Sequence, residues 1–204
     1  MPRVLSETEI ADFRERLCEA ATDEFAARGP EGFTMRALAA RLGVSPMTPY
    51  RYFKDKNAIL AAVQARAFDR FAEALEAPFD PASGIPVDPA ARGAAVGEAY
   101  ARFAFENPAA YRLMFEIALP DTGTYPDLER AAERARNTMT RYVRGLTQAG
   151  LLEGDPEVIG HVFWAAMHGA VMLKLANKLG PDCDFERISG EAFRALGEGF
   201  RAKR

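Results

Sequence analysis

The stretch from Thr34 to Lys56 concentrates positive charge in a chain that is acidic overall. It contains five basic residues and one acidic residue, a net charge of +4, whereas the 204-residue chain has a formal net charge of −3, which leaves −7 for the remainder. A compact basic patch on an acidic body is the charge arrangement of a small protein that binds nucleic acid. A window of this size can also be basic by chance, so the charge alone does not decide.

The same stretch has the pattern of two short helices joined by a tight turn. Gly43 can adopt the left-handed conformation that ends a helix, and Ser45 with Pro46 can begin the next one. Ala39 is small where two helices must approach closely, and Val44 can fill the angle between them. This is the helix-turn-helix arrangement, in which the second helix enters the major groove of DNA.

The residues of this stretch resemble the N-terminal domain of the tetracycline-repressor (TetR) family. The resemblance rests on the turn Gly43-Val44-Ser45, the element Tyr50-Arg51-Tyr52-Phe53 and Lys56, in that order. The sequence departs from the family pattern at Met47, where glycine is frequent, and at Pro49, where leucine is usual. Since proline lacks an amide hydrogen, Pro49 should distort the recognition helix.

The resemblance implies specific roles at the DNA surface. Phosphate contacts are implied for Thr34, Ser45, Tyr50, Tyr52 and Lys56, and base-edge contacts for Met47, Thr48 and Arg51. Arg36 is a further candidate DNA contact, with a merely solvated side chain as the open alternative. Tyr50 has an alternative as well, in which its ring packs and only its hydroxyl is exposed.

Outside the patch the sequence predicts helix after helix and no strand. We predict an all-α, nine-helix TetR-like architecture, with a three-helix DNA-binding domain followed by a helical-bundle domain. The predicted domains are residues 6–77, which include the fourth helix as a connector, and residues 89–204, separated by a linker over 78–88. Capping patterns set the predicted helix starts at Ser6, Thr34, Ser45, Asp55, Asp88-Pro89, Asn107-Pro108 and Asp155-Pro156. The predicted later helices are the seventh over 126–148, the eighth over 156–179 and the ninth over 185–202.

The eighth and ninth predicted helices are candidates for a dimer interface. The eighth is apolar around most of its circumference, which is typical of a helix buried on more than one side. Gly190 and Gly197 lie seven residues apart on the ninth helix, where a partner helix could approach closely. We therefore expect a homodimer through these helices, since helix-turn-helix proteins commonly bind paired half-sites. The alternative is that the eighth helix is simply the core of one chain.

Trp164-Ala165-Ala166-Met167-His168-Gly169 is similar to the Trp-His-Gly type of TetR C-terminal domain, as is the segment from Asn107 to Phe115. This resemblance implies a pocket for a small-molecule inducer whose identity the sequence does not give. The candidate pocket residues are aromatic, sulfur-bearing or imidazole side chains: Phe103, Tyr111, Met114, Phe115, Met139, Tyr142, Trp164, Met167 and His168. Each of these is as readily explained as ordinary core.

The implied function is a ligand-responsive transcriptional regulator. As a repressor it would bind palindromic double-stranded operator DNA as a dimer and be released by a small apolar or amphipathic inducer. The rival classes are a helical-bundle enzyme and a protein-interaction module without DNA binding. An enzyme is disfavoured because His161 and His168 are the two histidines present and lie about 10 Å apart along one helix, too far to share a metal.

We expect no metal, no cofactor and no catalytic residue. Cys18 and Cys183 are expected to be free thiols, since they lie far apart and match no metal-ligand spacing. We also expect no membrane segment and a cytoplasmic location, because the sequence has neither a long uninterrupted apolar run nor a signal-like N-terminus.

Overall fold

The computed structural model describes residues 6–85, 88–119 and 122–203, apart from the side chains at positions 30, 31, 90 and 122. Its α-helices are α1 (Glu7–Gly32), α2 (Met35–Arg41), α3 (Lys56–Glu76), α4 (Pro89–Glu106), α5 (Pro108–Glu116), α6 (Pro126–Gln148), α7 (Pro156–Leu175) and α8 (Phe185–Gly199). Short 3₁₀ turns cover Pro49–Arg51, Ala77–Phe79, Pro81–Ser83 and Thr122–Thr124. Within the described ranges there is no strand, only an isolated bridge between Leu152 and Arg201. The all-α prediction is confirmed.

The described part of the chain has eight α-helices where nine were predicted. The missing one is the recognition helix, of which only a 3₁₀ turn at Pro49–Arg51 remains. The linker predicted over 78–88 contains the end of one 3₁₀ turn, Ala77–Phe79, and all of another, Pro81–Ser83, and its residues 86 and 87 lie outside the described ranges.

Side-chain caps set most helix starts as predicted. Ser6 forms a complete capping box with Glu9 at the start of α1. Asp55, Asp88 and Asp155 each accept a hydrogen bond from a first-turn amide, at 2.8 to 2.9 Å. These bonds satisfy amides that a helix leaves without an intrahelical partner.

Asn107 departs from this capping pattern. Its amide group donates to the Phe103 carbonyl at the end of α4, and its oxygen accepts from Arg70. The side chain therefore closes the preceding helix, although α5 still begins at Pro108 as predicted.

Two helix ends come earlier than predicted. Helix α7 stops at Leu175 rather than at residue 179, because Ala176 leaves the helical path and Asn177 adopts a left-handed φ of 52°. Helix α8 stops at Gly199 rather than at residue 202. Asparagine tolerates the left-handed region better than most residues, so Asn177 can end a helix much as glycine does.

The chain divides into two compact units, each built from two segments. The first unit comprises Met1–Asp69 and Ala109–Ala132, and the second comprises Arg70–Pro108 and Glu133–Arg204. The predicted domains, 6–77 and 89–204, are each one continuous segment, unlike these units. That DNA binding belongs to the first and ligand binding and dimerisation to the second remains a prediction.

The core of the first unit is formed by apolar side chains from α1, α2, α3 and α5. It includes the fully buried Leu17, Phe33, Leu38, Ile59 and Leu113. Each such side chain contributes about 1.5–3 kcal/mol through its removal from water. Gln64 is also buried, and its side-chain amide donates to the carbonyls of Leu113 and Ile117 at 2.8 and 2.9 Å. This bond pair ties the segment around α5 to helix α3.

The second unit is centred on aromatic side chains of α3 and α4. The Phe71 ring meets Tyr100 edge-on at 4.9 Å and lies 5.2 Å from Phe103. Helix α7 approaches α6 closely at Gly160, where an added Cβ would lie 3.4 Å from the Thr140 Cα atom. A glycine at this position therefore permits the two helices to pack at short range.

Replacing Gln64 by Leu should lower the free energy of unfolding by about 2 kcal/mol, because one buried and one partly buried carbonyl lose their donor. Chemical denaturation measures this change. Gln148→Leu is the matched control, since Gln148 is exposed at the end of α6. Equal stability of the two variants would contradict the structural role of Gln64.

Candidate DNA-binding and ligand-binding sites

The turn after α2 is held by backbone hydrogen bonds and by one glycine. Gly43 adopts a φ of 65°, in the left-handed region. The Val44 amide donates to the Ala39 carbonyl at 3.0 Å, which closes the end of α2. Thr34 caps the other end of α2 through a 3.1 Å bond from the Ala37 amide. The first half of the predicted helix-turn-helix therefore forms as expected.

The second half is a series of tight turns instead of an α-helix. The Ser45 carbonyl accepts from the Thr48 amide at 2.9 Å, and the Thr48 carbonyl accepts from Arg51 at 3.1 Å. Pro49 has no amide hydrogen to donate back to Ser45, and its ring is buried. The distortion predicted for Pro49 is thus observed, and it extends over the whole recognition segment, residues 45–53.

Ser45 does not act as the predicted helix cap. Its hydroxyl lies 3.0 Å from the Thr48 hydroxyl, so the two side chains bond to each other. Without a following α-helix there is no first-turn amide for Ser45 to cap.

The residues predicted to contact DNA are mostly exposed. Met47 and Tyr50 are 67% and 47% exposed. The other exposed members of the set are Thr34, Arg36, Ser45 and Arg51. Thr48, Tyr52 and Lys56 are half-buried, with the Tyr52 ring packed against Phe13 at 4.6 Å.

The arginines around the recognition segment divide into two groups. Arg41 pairs with Asp23 at 2.9 Å, and Arg14 donates to the Tyr52 carbonyl at 2.8 Å while its guanidinium lies over the Phe53 ring. Among the residues that the structure describes, Arg36 and Arg51 have no carboxylate partner. Arg14 therefore braces the recognition segment and Arg41 links α2 to α1, whereas Arg36 and Arg51 are exposed without such a partner. Sequence reasoning did not identify Arg14, because its partner lies 38 residues away.

A cavity of about 160 Å³ lies inside the second unit. Four helices and one loop residue line it: Gly93, Val96, Gly97 and Tyr100 of α4; Met139, Tyr142, Val143 and Leu146 of α6; Phe163 and Met167 of α7; Phe193 and Gly197 of α8; and Leu152. Of the predicted pocket residues, the structure brings Met139, Tyr142 and Met167 to this cavity.

The other predicted pocket residues have different surroundings. Phe103 is buried in the second unit's core, and the Trp164 indole donates to the Tyr100 hydroxyl at 3.0 Å. His168 is half-buried, and its pKa is lowered by burial. Tyr111, Met114 and Phe115 belong to the first unit, where the Tyr111 and Phe115 rings lie 4.9 Å apart. None of these six residues lines the cavity.

Sequence reasoning missed most of the cavity wall. Glycines, valines and leucines have no side-chain chemistry that marks a pocket, and the aromatic Tyr100, Phe163 and Phe193 reach the cavity through helix packing that the sequence pattern does not show. One signal was available, since Gly93 and Gly97 lie four residues apart on one face of α4. Glycine lowers helix stability, so a pair at this spacing indicates open space or a close approach. At Gly93 the reason is close approach, because an added Cβ would lie 2.5 Å from the Tyr142 hydroxyl.

Both tyrosine hydroxyls at the cavity already have partners. Tyr142 donates to the Pro89 carbonyl, and Tyr100 accepts from Trp164. Burial raises the pKa of Tyr142, and the charge of Asp88 raises it further, so the phenol stays protonated at neutral pH. Within residues 6–85, 88–119 and 122–203, no three His, Cys, Asp or Glu side chains could hold a metal ion together.

Comparison with known proteins defines the class of this chain as a bacterial regulator with a DNA-binding N-terminal region. Residues 17–63 match the family described as bacterial regulatory proteins, tetR family. Residues 93–196, half of the chain, match the tetracyclin repressor-like, C-terminal domain. The chain belongs to the TetR family.

Known sequences and structures agree with this assignment. The HTH-type transcriptional regulator UidR of Escherichia coli K12 is 34% identical over 74 residues, which are 34% of this chain and 38% of UidR. The chain thus matches well under half of the length of this curated relative.

Two solved structures have the same fold over nearly their whole length. A protein of unknown function from Rhodococcus sp. RHA1 has a TM-score of 0.79 and 25% identity, covering 98% of this chain and 99% of the other. A TetR family transcription regulator from Marinobacter aquaeolei VT8 has a TM-score of 0.72 and 20% identity, covering 97% and 100%.

His168 should make stability depend on pH. Burial lowers its pKa from the ordinary 6.5, so the unfolded chain binds the proton more tightly than the folded chain. The stabilisation from the neutral imidazole is therefore complete above about pH 6.5 and is lost as the pH falls below it. Thermal unfolding of the wild type between about pH 7.5 and 5.5 should thus show a larger loss of stability than His168→Gln.

His161→Gln is the control for this measurement, because His161 is exposed. It should follow the wild type across the pH range. Identical pH profiles for His168→Gln and the wild type would show that burial of His168 does not couple folding to protonation.

Proposed function

We propose that this TetR-family chain is a ligand-responsive repressor that binds palindromic operator DNA as a homodimer. The observation that carries the DNA-binding part is the recognition segment itself, residues 45–53, with Met47, Tyr50 and Arg51 exposed at its surface. A methionine, a tyrosine and an arginine exposed together on one short turn offer both apolar and basic contacts to DNA. TetR-family proteins are transcriptional regulators rather than enzymes, and we propose no catalytic activity for this chain.

The candidate side chains divide into two kinds of DNA contact. Thr34, Tyr50 and Lys56 would bind phosphates and fix the position of the segment, while half-buried Tyr52 would present only its hydroxyl. Met47 and Thr48 would meet base edges such as a thymine methyl, and Arg51 would reach a guanine or a phosphate. Because residues 45–53 form tight turns, these side chains do not project at α-helical spacing. We propose that DNA is read from a turn whose shape is set by Pro49.

Arg51→Ala should weaken binding to the promoter DNA beside the gene by about tenfold or more, since a phosphate or base contact is worth about 1–3 kcal/mol. Electrophoretic mobility shift at several salt concentrations measures the change, and loss of one phosphate contact should reduce the salt slope by about 1.

Arg41→Ala provides the comparison, because the Arg41 guanidinium is already paired with Asp23. It should bind DNA like the wild type. If Arg51→Ala binds as tightly as Arg41→Ala at every salt concentration, Arg51 does not contact DNA.

Helix α7 carries the apolar surface that we assign to the dimer, together with α8. Val158 and Leu173 on α7 are 56% and 45% exposed, and Ala165 is exposed between them. By length and composition α7 is apolar enough to cross a membrane, yet only 28% of its most apolar window is buried. A second copy of this chain would cover that surface and would place two recognition segments for paired half-sites. The chain would then act in the cytoplasm, where its DNA is.

Gly169 supports close helix approach at this surface. An added Cβ at Gly169 would meet no atom of the described residues within 4 Å, so their packing does not require a glycine there. Gly190 and Gly197 on α8 also have open space beside them, but they line the groove and the cavity of the second unit, so the close approach is argued from Gly169. Small residues at an interface let helix backbones come close, which is the property that we propose for this face.

Ala165→Arg should convert the dimer to a monomer, because it places a long charged side chain in the middle of the proposed interface. Sedimentation at micromolar concentration measures the oligomeric state. Ala149→Arg is the control, since Ala149 is an exposed residue after α6 and outside this face. A dimeric Ala165→Arg would exclude this part of α7 from the interface.

The cavity of the second unit is the proposed inducer site, with Met139, Tyr142 and Met167 as the ligand contacts retained from sequence. Phe163 and Phe193 also line it, and their rings lie 5.3 Å apart. These two residues belong to α7 and α8, the helices of the proposed dimer interface. A ligand that moves either ring would therefore act directly on the helices that hold two copies together.

A further inference from the structure

We propose that the inducer is an uncharged, compact apolar molecule about the size of a substituted monocyclic hydrocarbon. This inference rests on the proposed inducer site and narrows its ligand class. It predicts that an uncharged ligand binds more tightly than a carboxylate or an amine of the same size.

The volume of the cavity sets the size of the ligand. At about 160 Å³ it is comparable to a cavity of about 150 Å³ that is lined by aliphatic and aromatic residues and binds benzene. A molecule with a long acyl chain or several fused rings would exceed this volume and would have to extend into the adjoining groove.

The wall chemistry sets the charge of the ligand. Within the part of the chain that the structure describes, no Asp, Glu, Lys, Arg or His lines the cavity, and the polar side-chain oxygen atoms at its wall are the two tyrosine hydroxyls. Both hydroxyls are engaged, Tyr142 with the Pro89 carbonyl and Tyr100 with the Trp164 indole. A carboxylate or an ammonium group would therefore lose its hydration and gain no opposite charge.

The cavity continues into an open groove, which offers no better place for a carboxylate. The charged residues that line the groove are Glu98, Glu186 and Arg194, and its other lining residues are uncharged. Arg194 already pairs with Glu191 at 2.6 Å and with Glu198 at 3.1 Å. The two remaining carboxylates repel an acidic head group, so an amphipathic acid with its head in the groove is disfavoured.

An amine is disfavoured for a different reason. Glu98 and Glu186 could attract a cation to the groove, but no carboxylate of the described residues lines the cavity, so a cation there would have no opposite charge. An amine would then bind in the groove, and a substitution that fills the cavity would not change its affinity.

The chain contains its own reporter for occupation of the cavity. Trp164 is the single tryptophan, and its indole donates at 3.0 Å to Tyr100, a residue of the cavity wall. A ligand that displaces the Tyr100 hydroxyl changes the environment of the indole. Tryptophan fluorescence therefore reports on this cavity without labelling.

The experiment titrates the full-length chain with ethylbenzene, benzylammonium and benzoate, which are similar in size and differ in charge. Tryptophan emission and the thermal unfolding midpoint are recorded for each. Ethylbenzene should bind more than about tenfold more tightly than either ion and should raise the unfolding midpoint. Benzoate or benzylammonium binding as tightly as ethylbenzene would overturn the proposal.

Gly97→Leu tests whether the response comes from this cavity. A Cβ at Gly97 would make an ordinary 3.6 Å contact with the Met167 methyl, so a side chain can enter the cavity there without backbone movement. The variant should abolish the ethylbenzene response, while Gly145→Leu, at an exposed position of α6 with open space around it, should retain it. An unchanged response in Gly97→Leu would place the ligand elsewhere.

Two readouts separate this inference from the proposed function. Circular dichroism shows whether Gly97→Leu is folded. If the variant does not fold, the comparison of the three ligands on the wild type still tests the ligand class. If fluorescence shows tight binding of ethylbenzene but the mobility shift of the DNA complex does not change, the ligand class is supported and release of DNA by the ligand is contradicted. DNA release by benzoate together with benzoate-induced fluorescence change would support regulation and overturn the ligand class.

Discussion

Burial of the apolar face of α3 is the interaction on which both compact units depend. Ile59 and Val63 belong to the core of the first unit, and Phe71 and Leu75 are buried in the second. The helix is apolar along so much of its length that neither unit can lose it and keep its own core. A single helix of 21 residues thus supplies packing to the part of the chain that holds the recognition segment and to the part that holds the cavity. Gln64 adds a polar constraint in the same helix, because its two hydrogen bonds have to form for the α5 segment to pack.

The helical architecture could be predicted from sequence because its determinants are local. Capping side chains lie two or three residues from the amides that they satisfy, and apolar periodicity is visible within one helix. For this reason α6 begins and ends at the predicted residues, and Asp88 and Asp155 cap the predicted helices. The predicted helix bounds were less accurate where one residue ends a helix within an apolar, helix-like sequence. Asn177 is the example, because its left-handed backbone follows the early end of α7.

The two sites were harder to predict because they depend on interactions that are distant in sequence. Pro49 was identified as a disturbance, but its effect on the whole recognition segment follows from how Ser45, Thr48 and Arg51 share the remaining hydrogen bonds. The cavity is formed by four helices, so it depends on side-chain packing that periodicity does not encode. Aromatic and sulfur-bearing residues were chosen for their chemistry, whereas the wall contains valines and glycines that were not chosen.

The glycines of the cavity wall give this chain a simple route to new ligand preferences. Gly97 and Gly197 can each accept a methyl group without a backbone clash, whereas at Gly93 the Tyr142 hydroxyl occupies the space. A single nucleotide change from glycine to alanine would reduce the cavity by one methyl group at either of the first two positions. Related regulators could therefore diverge in the size of the molecule that they detect while keeping the same helices. The same two positions are natural starting points for engineering a sensor, since each substitution trims the cavity and also relieves the low helix propensity of glycine.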